Sequence, residues 1–248
     1  MTLLAIESAT DLVGVALVRP DGGEAEREHV GGRAHAELLA PFIEEVCAVS
    51  GCALSGIDAI AVDIGPGLFT GLRVGVATAK ALGQALSVGI VAVSSLDILA
   101  AAAAARLEGA PGTVMSVVDA RRGELFAAVY RFEPGDARPD PRWVRDDRAE
   151  PLAPEALAGW LGQLGDTSGP VTVVGNGAVR YHSLFASVPQ VDLELAEELS
   201  SPSPLALARL ARQRLDEGEV LSSAGEVVPD YRRPADARIN WEQRAPRR

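Results

Sequence analysis

The stretch IESATDLVGVALV, residues 6–18, returns as VDARRGELFAAVY at residues 118–130, and the two align without a gap at a separation of 112. Each opens as an apolar strand ending in a carboxylate, Glu7 or Asp119, turns through a few polar residues and resumes as a second apolar strand. Short apolar runs bounded by turn residues read as strands, and a brief polar link between two of them as a hairpin. Downstream of the first copy the pattern predicts a third strand over 24–30, after the Asp21-Gly22-Gly23 turn. An amphipathic helix follows from Ala34 to Ser50, then a strand over 57–64, a helix opened by Thr70, a strand over 89–94 and a helix over 95–107. The order is βββαβαβα. Pro41 sits inside the first helix and lacks an N–H, which predicts a kink there.

The second half is less regular. A Pro-, Asp- and Arg-rich segment runs from Glu133 to Pro151, a helix follows over 154–164, and VTVVGNGA (171–178) reads as a strand. A Ser-Pro junction at 200–204 leads into a last helix over about 204–218. Two apolar hairpins can look alike by chance. As an internal duplication, however, the pair resembles the actin-like ATPase fold, an α/β architecture of two related lobes, here with the second lobe reduced. The lobes then fall at 1–108 and 109–203, with the 204–218 helix packing back on the first and 221–248 forming an extended basic tail.

Nearly half of the 248 residues are hydrophobic, enough for a sizeable core. A formal charge of −11 argues against nucleic-acid binding by the surface as a whole, since phosphate contacts need clustered Lys and Arg. The exception is Tyr231–Arg248, where six arginines face only Asp236 and Glu242. Cys47 and Cys52 form no zinc or redox spacing, and His29, His35 and His182 are scattered, so no metal site is expected. The apolar run 87–105 is interrupted by Asp97 and reads as strand plus helix, not as a membrane span. No signal peptide pattern opens the chain, and a cytoplasmic location is expected.

The segment DIGPGLFTGLRVGVATAK (63–80) joins a strand to a helix through glycines, as phosphate loops do. It lacks the Lys-Ser/Thr of a Walker A loop, and Gly65, Gly67 and Gly71 miss the dinucleotide-binding spacing. Its glycines read as a tight strand–helix turn. Beyond the turn, Gly71, Gly75, Ala79 and Gly83 recur every fourth residue. An interior glycine costs a helix about 1 kcal/mol, so this bare face serves a close neighbour: the lobe's own sheet, the 34–50 helix, or another subunit. At the strand ends, Glu7, Ser8 and Thr10 occupy the place of a first phosphate loop, Asp119 that of a second, and Gly175 and Gly177 resemble an adenosine-contacting glycine pair.

Taken in order and spacing, LLAIESAT, RAHAELLAPFIEEV, IDAIAVDIGPGLFTGLRVGVATAKALG, VDARRGELFAAVY, VVGNGA and VPDYRRP resemble the TsaB (YeaZ) family. The resemblance covers most of residues 1–132 and is patchy afterwards. It implies a subunit of the machinery that makes threonylcarbamoyladenosine at tRNA position 37, paired with the larger sister TsaD and joined by the ATPase TsaE. TsaD carries a metal-binding HxxxH pattern; in the matching register this chain has Ser95 and Leu99, which implies that the metal is not held here. Glu7 stands where the family usually has Asp, which weakens a hydrolytic role further. The resemblance implies no catalytic residue, no metal and a vestigial nucleotide cleft at Glu7, Ser8, Thr10, Asp119, Gly175 and Gly177. A nucleotide would sit, if anywhere, at the interface of the complex.

The expected partner seam is the pair of helices at 34–50 and 70–86, through Leu38, Leu39, Phe42, Ile43, Val46, Gly71, Arg73, Gly75, Ala79 and Gly83. TsaD would occupy it, or a second copy of this chain when alone, and tRNA would be reached only through the complex. Two other functions compete: a nucleotide-dependent phosphotransferase or glycoprotease-like enzyme, which needs working carboxylates at Glu7 and Asp119 or a nucleophile, and RNA binding through the arginine-rich tail.

Overall fold

The computed structural model describes residues 1–31, 34–108, 110–133, 140–141, 145–148, 150–164, 171–188 and 193–232. Most of the 133–151 segment and the tail beyond Arg232, with five of its six arginines, lie outside them. The first lobe runs β1 (Leu3–Glu7), β2 (Leu12–Val18), β3 (Glu24–Val30), α1 (His35–Val49), β4 (Ala59–Gly65), α2 (Phe69–Leu86), β5 (Gly89–Ser94) and α3 (Ser95–Leu107). The second runs β6 (Gly112–Arg121), β7 (Glu124–Phe132), β8 (Arg145–Asp147), α4 (Pro154–Gly162), β9 (Val171–Val174), α5 (Asn176–Arg180), α6 (His182–Phe185) and β10 (Leu193–Leu195), and α7 (Pro204–Asp216) closes the order.

Each lobe is built on a five-stranded sheet, β3-β2-β1-β4-β5 in one and β8-β7-β6-β9-β10 in the other. In both, three antiparallel strands are followed by two parallel ones in the same succession. This shared topology is the duplicated actin-like architecture. Both β1 and β2 are buried along their whole length because helices cover both faces of the sheet. On one face Leu4 and Ile6 meet Leu39, Ile43 and Val46 of α1 and Val76 of α2. Burying each of these large apolar side chains contributes about 1.5–3 kcal/mol. On the other face Leu3 and Ala5 meet Leu207, Leu210 and Ala211 of α7.

The gapless alignment of the two hairpins needs one correction. Ile6 faces α1 and α2, on the outer side of its sheet, whereas Val118 faces α3 on the inner side; the outward residue is Val117, packed with Leu157 of α4. Paired strands give the same answer, Ile6 opposite Val15 and Val117 opposite Ala127. The first strands therefore correspond at a separation of 111 and the second strands at 112. The extra residue is absorbed in the second turn, where the ladder shifts register between Asp119 and Arg121 and both Arg121 and Arg122 take positive φ. Because side chains alternate along a strand, Glu7 and Asp119 point to opposite sides of their sheets and are not equivalent.

Two other expectations change in detail, while α1 runs from His35 to Val49 with Pro41 inside it, where the kink was expected. The VTVVGNGA strand ends at Val174, and Asn176 already opens α5. α2 begins at Phe69, one residue before Thr70.

Two helices tie the lobes together. α3, capped by the Ser94 hydroxyl accepting the Leu96 N–H at 3.3 Å, turns Ile98 to the first lobe and Leu96, Leu99, Ala100 and Ala103 to the second. α7 starts with Ser203 accepting the Ala206 N–H at 3.0 Å and Pro204 in its first turn. It lies across β1 and β2 of the first lobe and touches α3. At their meeting point Arg214 is 2 % exposed.

Candidate functional site

The ends of β1 and β4 bring two carboxylates together at the inner side of the first sheet. Glu7 and Asp63 are both fully buried. Glu7 Oε1 accepts the Ala9 N–H at 2.8 Å, and Asp63 Oδ1 accepts from the Gly65 N–H and the Ser95 hydroxyl, each at 2.7 Å. Their second oxygens, Glu7 Oε2 and Asp63 Oδ2, have no other donor. Two carboxylates buried side by side strongly disfavour ionising together. Burial, with the Asp63 charge beside it, holds the Glu7 carboxyl well above the usual carboxylate range. Burial also pushes Asp63 up to about 6, against the pull of its hydrogen bonds from Glu7, Ser95 and Gly65. Both shifts favour the protonated form, that of Glu7 most, and a protonated carboxyl is a poor cation ligand.

Asp63 carried no role in the sequence reading. The signal was a carboxylate inside the otherwise apolar run IAVDI, since an isolated buried charge is costly and demands a partner.

The remaining cleft residues are also engaged within the chain. Ser8, 1 % exposed, donates its hydroxyl to the Gly71 carbonyl at 2.9 Å. Thr10 Oγ1 accepts the Leu12 N–H at 3.2 Å, and the Thr10 carbonyl lies 2.8 Å from His35 Nε2. Asp119 accepts from Arg180 at 2.8 Å and from the Arg121 N–H at 2.8 Å, and its own N–H donates to Asn176 Oδ1 at 2.8 Å. Across the cleft mouth Arg121 pairs with Asp11, so the two hairpin turns are joined. Gly175 and Gly177 face inward: a Cβ on the first would lie 2.1 Å from the Val117 carbonyl oxygen, and one on the second 2.7 Å from the Val117 side chain. Those glycines let α5 approach β6 closely. Thus the structure brings Glu7 to Asp63, turns the Ser8 hydroxyl to the Gly71 carbonyl and the Thr10 hydroxyl to the Leu12 N–H, leaves Asp119 with Arg180, and uses the two glycines in packing.

Ser95 and Leu99, in the register of the sister's two histidines, are both fully buried, the first donating to Asp63 and the second in the α3 cluster. Among the described residues no group of three His, Cys, Asp or Glu side chains is arranged to hold a metal ion. No described helix is long and apolar enough to cross a membrane.

The small-residue face of α2 is turned the other way from the expected seam. A Cβ on Gly71 would lie 2.0 Å from the Ser8 carbonyl oxygen, one on Gly75 2.2 Å from the Ser8 hydroxyl, and one on Gly83 3.1 Å from Ile90. Ala79 is fully buried in the same core. This row seats the helix on the chain's own β1–β2 loop and sheet. Gly67 does the same in the turn, where its Cβ would meet the Ala9 carbonyl at 2.1 Å, and Gly65 at φ 103° makes the bend. Leu39, Ile43 and Val46 likewise belong to the core. Of the ten seam residues, Leu38, Phe42 and Arg73 remain partly or fully exposed.

What faces outward on α2 is the adjoining row Arg73, Ala77 and Ala81, with Phe69 at its head. Arg73 lies 3.9 Å over the Phe69 ring and donates to the Tyr231 hydroxyl at 3.1 Å. Beside Ala77 and Ala81 runs an open groove of about 940 Å³, closed on its far side by Leu221 and Ser222. Lys80, the sole lysine, lines it and donates to the Val227 carbonyl at 3.1 Å.

Comparison with known proteins bears on this geometry. A family model described as TsaD, tRNA N6-adenosine threonylcarbamoyltransferase, matches residues 28–241. The tRNA threonylcarbamoyladenosine biosynthesis protein TsaB of Bacillus subtilis (strain 168) is 29 % identical over 245 residues, 97 % of this chain and 98 % of that protein. The TsaB of Escherichia coli (strain K12) is 32 % identical over 177 residues, 71 % of this chain and 72 % of its own length. The solved structure of YeaZ from Pseudomonas aeruginosa superposes with a TM-score of 0.74 at 30 % identity, covering 92 % of this chain and 98 % of that one.

Proposed function

Since this chain belongs to the TsaB (YeaZ) family of tRNA threonylcarbamoyladenosine biosynthesis proteins, we propose that it is the non-catalytic subunit of that machinery. It docks on and activates TsaD, with TsaE joining the complex and tRNA reached through it. The observation that carries this reading is the state of the cleft. Glu7 is fully buried beside Asp63, which disfavours its charged form, Asp119 is held by Arg180, Ser95 is bonded to Asp63, and Leu99 is core. A phosphotransferase needs carboxylates open to metal-bound phosphate, and an HxxxH-type metal centre needs ligands that Ser95 and Leu99 do not supply.

The docking face that fits this role is the outer side of α1 and α2: Leu38 and Phe42 from one helix, Phe69, Arg73, Ala77 and Ala81 from the other. Alanines let a facing helix approach closely, and flanking aromatic and arginine side chains are the types enriched at interface centres. In the absence of TsaD the same face would pair with a second copy. Location in the cytoplasm follows from the same role.

Reconstitution tests it. TsaD, TsaE, tRNA and threonylcarbamoyl-AMP are combined with and without this chain, and modified adenosine is measured. Modification should depend on the chain, and the chain alone should turn over neither ATP nor peptide. Equal modification without it would overturn the reading.

A further inference from the structure

Residues 219–232, after α7, cross the face of the first lobe with one turn at 224–226. Ser222 exchanges two backbone hydrogen bonds with Ile90 on the edge strand β5, each of 2.9 Å. Val227 is 3 % exposed in the first-lobe core, and the Asp230 N–H donates to the Ile64 carbonyl at 2.7 Å. The Tyr231 ring packs 5.2 Å from that of Phe69. Every one of these anchors is on the first lobe.

The next residue leaves it. The Arg232 guanidinium reaches Asp147 of β8 at 2.9 Å and the Arg148 carbonyl at 3.0 Å, both in the second lobe, and pairs with Asp230 at 2.7 Å. The Arg232 side chain is 9 % exposed and that of Asp147 28 %, so the pair is partly shielded from the screening that makes surface pairs weak. The contact does not stop at Asp147. Asp147 pairs with Arg145, which lies 3.2 Å from Asp97 of α3; Asp97 accepts from Arg214 of α7 at 2.9 Å, and Arg214 holds Asp140 at 3.0 Å. Tyr130 of β7 completes Asp97 by donating to it at 2.9 Å. Charges alternate in sign along the whole line, from the C-terminal segment through the edge of the second sheet to the two helices that join the lobes.

We propose that residues 219–232 form a strap that fixes the two lobes relative to each other, with Arg232 as its clasp on Asp147. Apart from this clasp, the lobes meet at the α3–α7 junction and through the Arg121–Asp11 pair, which is exposed and open to solvent screening, so they keep freedom to rotate about the junction. The more shielded attachment at β8 removes that freedom. The arrangement makes the chain a rigid body that presents α1 and α2 at a set orientation to the second lobe. It depends on this chain's own contacts and holds whether or not the docking reading is correct.

The test is a distance measurement between spin labels at two exposed positions, Val30→Cys on the first lobe and Val179→Cys on the second, in full-length protein with Cys47→Ala and Cys52→Ser. The parent should give one narrow distance. Arg232→Ala should lose it for a broad distribution, Arg232→Lys should fall between, since an ammonium replaces the fork by a point charge, and Val228→Ser should match the parent. Distributions for Arg232→Ala and Arg232→Lys that coincide with the parent would overturn the strap, because both remove the fork while leaving every first-lobe anchor in place.

Discussion

Gly75 packs directly on Ser8: a Cβ built on the glycine would lie 2.2 Å from the serine hydroxyl oxygen. That hydroxyl cannot swing away freely, since it donates to the Gly71 carbonyl. Gly75→Ala gains about 1 kcal/mol in helix propensity and loses about 1–3 kcal/mol to overpacking, so a net destabilisation is expected in urea unfolding. Gly71→Ala should cost more, because its obstacle is the Ser8 backbone carbonyl at 2.0 Å. An unchanged midpoint for both variants would mean that the row does not face inward.

The neighbouring row gives the opposite expectation. Ala77 and Ala81 are exposed, so Ala77→Arg should alter stability by no more than about 0.5 kcal/mol. If the α1–α2 face is the seam, the same variant should fail to co-elute with TsaD from a sizing column. A folded Ala77→Arg protein that still co-elutes at parent strength places the docking face elsewhere.

These two rows show where sequence reading reached and where it stopped. A period of four in small residues announces close packing, and that much was correct. It carries no sign for the direction of packing, which is set by what stands opposite, here the Ser8–Ala9 backbone 60 and more residues earlier. The βββαβαβα order of the first lobe was legible because its strands and helices have clean periods and glycine or serine boundaries. The relation of Glu7 to Asp119 was not, because one residue hidden in a turn reverses which side of the sheet a strand-end carboxylate faces. Nor was the Glu7–Asp63 pair, which exists only once β1 and β4 lie side by side.

That pair sets a pH dependence whose sign can be worked out. Both groups have folded pKa values above their unfolded values of about 4. The folded state therefore binds more protons, and the associated stability is full below about pH 4 and lost as pH rises. Asp63 contributes its loss on the way to about 6, and Glu7 contributes at higher pH. Glu7→Gln keeps an acceptor for Ala9 and a donor for Asp63 with no proton to lose. It should match the parent near about pH 5 and exceed it near about pH 9, with a flatter stability profile in between. Parallel profiles for the two proteins would show that Glu7 is ionised in the fold.

The line of charges between the lobes should be far more sensitive to breaking than to replacement. Arg214 is 2 % exposed between Asp97 and Asp140, which are 2 % and 3 % exposed. Removing the guanidinium alone takes the buried cation away from both carboxylates and leaves Asp97 only Arg145 and the Tyr130 hydroxyl, so Arg214→Ala is expected to cost about 3–5 kcal/mol. Arg214→Met restores most of the volume but not the charge and should cost nearly as much. Adding Asp97→Asn and Asp140→Asn to Arg214→Met removes the stranded charges and should recover a large part of the loss. A denaturant double-mutant cycle reads this as coupling between the three sites. Additive costs across the cycle would mean that Arg214 contributes by packing, with its ion pairs adding nothing to the junction of the lobes.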